Sequence, residues 1–201
     1  MKKTVSIILI FCLMLLFSSC SKSEIDKTAI INSVYVSSEN GKLYFDFNTV
    51  QNENTAVLKK YSVSADSIFQ AKENLEKSAV SDLFLGQLEC IIFSNNMDCN
   101  EILNCLEDFT SGYECSPGVK LLFATPDAMR ELKEKEIPIT RLVELCNIAQ
   151  TENSGSAVNI YSFYNHLKRY ENNDFMVNLL YSKSQLDVKT FPFYGIKTES
   201  E

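Results

Sequence analysis

The sequence predicts an α/β (α+β) fold: a mixed β-sheet with an N-terminal antiparallel hairpin and a β-α-β unit, packed with several helices. Two observations carry this expectation. Residues 30–37 and 42–50 read as strands on either side of Asn40-Gly41. That dipeptide tolerates the positive φ angles a two-residue hairpin turn requires. Further on, Leu88–Ser94 and Val119–Thr125 are short apolar runs of the kind that form buried strands. Helical periodicity lies between them, so the pair is expected to run parallel with a right-handed crossover.

Along the chain, residues 1–19 come first as an export signal. Lys2 and Lys3 precede Val5–Phe17, thirteen residues apolar at every position except Ser6, and Phe17-Ser18-Ser19-Cys20 follows. A charged start, an apolar stretch and small residues before a cleavage point make a secretory signal. Thirteen residues are short of the roughly 20 that span a bilayer as a helix. The last four resemble a lipobox, in which a peptidase cuts before a lipid-modified cysteine, so Cys20 is the expected lipidation site. A thiolate is the nucleophile such a thioether requires. An uncleaved anchor or a plain secretory signal is the alternative. Residues 20–28 then form a lipidated tether, 29–197 the domain and 198–201 a polar tail.

Within the domain, Leu43, Phe45 and Phe47 alternate with polar or smaller residues, as in a half-buried strand. Residues 57–64 suit a third strand beside the hairpin. Asp66 is placed to cap a helix running to about residue 78, with Ile68, Ala71 and Leu75 on one face. Asp98 and Glu101 have capping-box spacing before the helical repeat of Ile102, Leu106 and Phe109. Thr125-Pro126 opens another helix, with proline at the tolerated first position. Helices are expected at 139–149 and 158–170, and a returning strand at 175–181.

Composition narrows the function classes. Residues 20–201 carry seventeen basic and twenty-six acidic side chains, a net charge of −9. That disfavours nucleic acid and gives no attraction to an anionic membrane surface. Beyond Cys20, the cysteines are Cys90, Cys99, Cys105, Cys115 and Cys146, with no C-x-x-C pair, so no metal site is expected. Cys90 and Cys146 read as buried apolar residues. Export permits a Cys105–Cys115 disulfide without requiring one. His166 is the only histidine, and acid–base chemistry needs a positioned partner that the sequence does not supply. No nucleophile-elbow, phosphate-loop or dinucleotide motif occurs. No enzyme, catalytic residue or cofactor is therefore expected. The mixed-sign run Glu131, Lys133, Glu134, Lys135 and Glu136 reads as a solvated helix end, and Glu24 and Asp26 as solvated tether residues. Tyr161, Tyr164 and Tyr170 read as ordinary half-buried helix positions, with a protein interface as the alternative.

The order of these segments resembles the N-terminal domain of the Ger(x)C family, the C-subunit lipoproteins of nutrient germinant receptors in spore-forming bacteria. The resemblance runs from Cys20 and Glu24-Ile25 through the Glu39-Asn40-Gly41-Lys42 turn and Ser64–Phe69. It is densest at Leu83–Phe93, where the family typically has Leu-Phe-Phe-Gly-His before an apolar strand. Phe84, Gly86 and Gln87 are this chain's counterpart of that motif. Gln87 stands for the common His, and Ser21 for a frequent Trp. Gly86 is read as a backbone requirement, either positive φ or close packing, over ligand contact. Family members usually continue for two further domains. The resemblance implies a membrane-anchored lipoprotein subunit that acts by protein–protein interaction with integral membrane receptor subunits. Its place would be the outer face of the cell or spore inner membrane, held by lipid on Cys20. The alternative is a lipid-anchored solute-binding protein delivering a small ligand to a transporter.

Overall fold

The computed structural model describes residues 28–51, 57–78, 82–112, 115–135, 137–152, 159–169, 175–183 and 185–193. Cys20, the signal, most of the tether and the tail lie outside them. β1 (Thr28–Glu39) and β2 (Lys42–Gln51) form the hairpin, and β3 (Val57–Ser64) joins antiparallel to β2. Asn40 and Gly41 have φ of 53° and 72°, the two left-handed positions read from the dipeptide. Phe45 and Phe47 are fully buried.

α1 (Ile68–Lys77) buries Ile68, Ala71 and Leu75. Its cap is Ser67, not Asp66: the Ser67 hydroxyl accepts the Gln70 N–H, while the Asp66 N–H donates to the Gln70 side chain. β4 (Asp82–Phe84), unexpected from the sequence, pairs parallel to the start of β1. β5 (Cys90–Ser94), α2 (Cys99–Ser111) and β6 (Lys120–Ala124) form the expected β-α-β unit, and the two strands are adjacent and parallel. Asp98 and Glu101 close the capping box on α2.

α3 (Pro126–Glu134) starts at the Thr125 cap, and α4 (Ile139–Glu152) and α5 (Ile160–Arg169) follow. β7 (Phe175–Ser182) runs parallel to β6, and β8 (Leu186–Phe193) returns antiparallel to β7. The sheet order is β3-β2-β1-β5-β6-β7-β8, with β4 alongside β1. Successive side chains of a strand point to opposite faces, so the sheet builds two cores. Val34, Phe45, Ile91, Phe93, Phe123 and Leu179 pack against α1, α2 and α5. Tyr35, Cys90, Ile92, Leu122 and Leu180 pack against α3 and α4. Among the described residues, no helix is long and apolar enough to cross a membrane.

Candidate functional site

The face covered by α1, α2 and α5 is incompletely closed. Helical spacing turns Ile68 inward and leaves the next residue, Phe69, 52% exposed. The last turn of α2 supplies Asp108 and Phe109, and the loop after β4 supplies Leu85. Together with Lys72 and Cys115 these residues line a cavity of about 350 Å³. The Phe69 ring lies 3.6 Å from where a Cβ on Gly112 would stand, so the ring reaches across to the end of α2. The recess is mainly carbon-walled, with few polar groups, the usual character of a binding pocket.

Two charged groups border that carbon. The Asp108 carboxylate accepts the Ile68 backbone N–H at the start of α1. Burial raises its pKa above the ordinary aspartate value and the Glu107 charge adds to the rise, while the Ile68 N–H opposes it. Lys72 brings a positive charge to the same lining. Glu107 itself faces away into a surface ion pair, 2.9 Å from Lys168, and its hydrogen bond with Lys168 lowers its pKa.

The motif residues come together beside this recess. Leu85 accepts the Leu88 N–H at 3.0 Å, closing a turn around Gly86 and Gln87. Gly86 does not take a positive φ. Its role is close approach: a Cβ there would stand 2.3 Å from the tip of the Phe84 ring. Phe84 is 43% exposed, so its ring lies over the turn and partly in solvent. Gln87 is exposed at the turn's third position. Phe84 and Gly86 therefore form one contact, and Leu85 between them forms part of the cavity wall.

Other candidate residues fall elsewhere. Cys90 and Cys146 are buried in the second core, and no disulfide joins Cys105 to Cys115. Burial, reinforced by Asp108 and Glu101, pushes the Cys105 thiol up to about 12, which keeps it protonated and unreactive. His166 and Tyr164 are half-buried on α5, and the Tyr164 hydroxyl donates to Glu107 at 3.2 Å. Tyr161 is 37% exposed, and Tyr170 lies outside the described residues. Among the described residues, no group of three or more His, Cys, Asp or Glu is placed to hold a metal ion.

The charge run requires a correction. Lys133 and Glu131 are not simply solvated. Lys133 reaches across to the buried Asp46 of β2 at 3.1 Å and to the Ser37 hydroxyl at 3.3 Å. The Asp46 carboxylate also accepts from Ser62 of β3. Glu131 pairs with Lys135 at 2.7 Å and accepts from Ser182 of β7. Lys60 donates to the carbonyls of Leu132, Lys133 and Lys135, closing the C-terminal end of α3. Alternating signs along a sequence do not reveal that one side of the helix meets a polar patch on β1–β3.

The fold and the recess thus define an α/β domain with a single mixed sheet, helices on both faces and an open apolar groove against its motif turn. A family model described as "Spore germination protein N-terminal domain" matches residues 21–180, most of the chain. The chain belongs to that family, the N-terminal domain of the Ger(x)C spore germination proteins. No curated protein and no solved structure matches it.

Proposed function

We propose that this chain is a membrane-anchored lipoprotein subunit of a spore nutrient germinant receptor and acts through protein–protein contact with the receptor's integral membrane subunits. The match of residues 21–180 to the germination-protein domain carries this reading, because it ties the chain to germination. The signal-like residues 1–19 and Cys20 support the anchor. Two acyl chains on Cys20 supply the two-chain anchoring that holds a protein stably at a bilayer. Confinement to that surface raises its effective concentration beside membrane partners without any added contact. Exposed aromatic rings at Phe69, Phe84 and Tyr161 suit contact with a partner, since aromatic residues are enriched where interfaces gain their energy.

Deletion of the gene is expected to slow nutrient-triggered germination, and Cys20→Ala to reproduce much of that defect by releasing the protein from the membrane. Germination of the deletion strain at the parental rate with every nutrient tested would refute the reading.

A further inference from the structure

The groove lies near the end of the sheet at which the described chain begins. β1 starts at Thr28, which pairs with Asp82 of β4, and Ile30 pairs with Phe84. Leu85, the next residue, lines the groove. Gly112 and Cys115, at the other wall, precede β6, whose first residue Lys120 is level with Cys90 and so with Ser33 of β1. Both walls therefore come from the part of the molecule near the N-terminal end of β1. Cys20 is eight residues before Thr28, and eight residues reach at most about 29 Å at 3.6 Å each.

We propose that this groove is an acyl-chain site and that its occupant is one of the fatty acyl chains carried by Cys20. The proposal rests on the lipoprotein reading above. The cavity of about 350 Å³ presents Ile68, Phe69, Leu85 and Phe109, surfaces that a methylene chain covers without requiring directional partners. Phe69, more than half exposed, gains most from such a cover. Lys72 is part of the same lining. The tether is long enough for the lipid to enter the groove or to leave it for the bilayer.

The test uses the full chain in its own membrane, with the photoreactive residue p-benzoylphenylalanine in place of Phe69. Intact mass first establishes whether the mature N-terminus is a lipidated Cys20. After irradiation, peptide mass spectrometry is expected to find residue 69 joined to the acyl chain of the Cys20 lipopeptide. In parallel, the full chain carrying Cys20→Ser is titrated with cis-parinaric acid, a fluorescent fatty acid. It is expected to bind, with Phe69→Glu weakening binding at least tenfold. Labelling of a phospholipid or of another protein at a lipidated Cys20 overturns the proposed occupant alone. Failure of the Cys20→Ser chain to bind the fatty acid overturns the acyl site. A mature N-terminus without lipid overturns the anchor and this occupant together, and is separated from the other failures by the mass.

Discussion

The two faces of the sheet are filled by different chemistry. Under α1, α2 and α5 the core is built of rings. Phe123 lies with its centroid 6.1 Å from Phe93, 5.3 Å from Phe163 and 5.5 Å from Phe193, and Phe163 meets Phe193 edge-on at 5.1 Å. Under α3 and α4 the core is aliphatic and thiol-bearing, and it gives way to a polar layer over β1–β3. There Asp46, Lys133, Ser37 and Ser62 are joined by an ion pair and hydrogen bonds. Burial of the Tyr35 ring keeps its phenol firmly protonated within that layer. The comparison separates two ways of holding helices on a sheet. Large rings supply area and few directional constraints, so that face can leave a groove open. The other face fixes α3 by specific polar contacts. It also carries the buried amides of Asn48 and Asn178, which have no hydrogen-bond partner among the described residues.

The largest effect is expected where the ring face depends on one side chain. Phe123→Ala removes the ring shared by three aromatic neighbours at a site only 3% exposed. Such truncations cost about 3–5 kcal/mol. Urea unfolding is expected to show that loss at unchanged slope. A loss below about 1 kcal/mol would mean that the ring cluster adds little beyond ordinary surface burial.

The polar face is expected to respond less. Asp46→Ala removes the partner of Lys133 and leaves the Ser62 hydroxyl without its acceptor. Hydrogen bonds to charged groups contribute about 1.5–3 kcal/mol, and the partial exposure of Lys133 places the cost toward the lower end. A double-mutant cycle with Lys133→Met isolates the pair. Additive effects in that cycle would show that Asp46 acts through Ser62 alone.

A smaller loss tests how α2 is held on the ring face. Asp98→Ala removes the side-chain half of its capping box, whose Asn100 N–H lies 2.7 Å from the carboxylate. N-cap removal typically costs about 1 kcal/mol. Chemical denaturation measures it, and Asp98→Ser is expected to restore most of the loss. Equal losses for both substitutions would point to the carboxylate charge instead of the cap.

This cap was legible in the sequence, and the contrast with what was not is physical. Asn40-Gly41, Asp98 with Glu101, and Thr125-Pro126 are local signals: each satisfies a backbone requirement within four residues. The buried faces of α1 and α2 were legible for the same reason, since Ile68, Ala71 and Leu75 lie within two turns of one another. Asp66 has the residue type of a cap, but its neighbour Ser67 holds the Gln70 N–H instead, a distinction that only the geometry makes. β4 has three residues, too few for an alternation, and its strand character comes from pairing with β1. β8 alternates through Lys189 before the exposed Phe191 and then Pro192 blur the pattern, as suits an edge strand. The groove was illegible because its walls come from Ile68, Phe69, Lys72, Leu85, Asp108, Phe109, Gly112 and Cys115, which share no local pattern. Lys133 was misread because its partner, Asp46, is far away in sequence.

The smallest expected effect is also the one that joins stability to the groove. Burial raises the Asp108 pKa in the folded protein above its unfolded value, so the folded state binds that proton more tightly. The resulting stability is complete below the unfolded value, about pH 3.9, and is lost as pH rises through the folded value. Asp108→Asn keeps an acceptor for the Ile68 N–H but removes the charge that the groove wall disfavours. Its melting temperature is therefore expected to equal or exceed that of the parent near neutral pH, and the difference to vanish at the acid end. Thermal unfolding across that pH range checks this. A variant less stable than its parent at neutral pH would show that the carboxylate charge is held by more than the Ile68 N–H. The acid would then be a positive element of the groove, and Lys72 would be the first residue to pair with it in a double-mutant cycle.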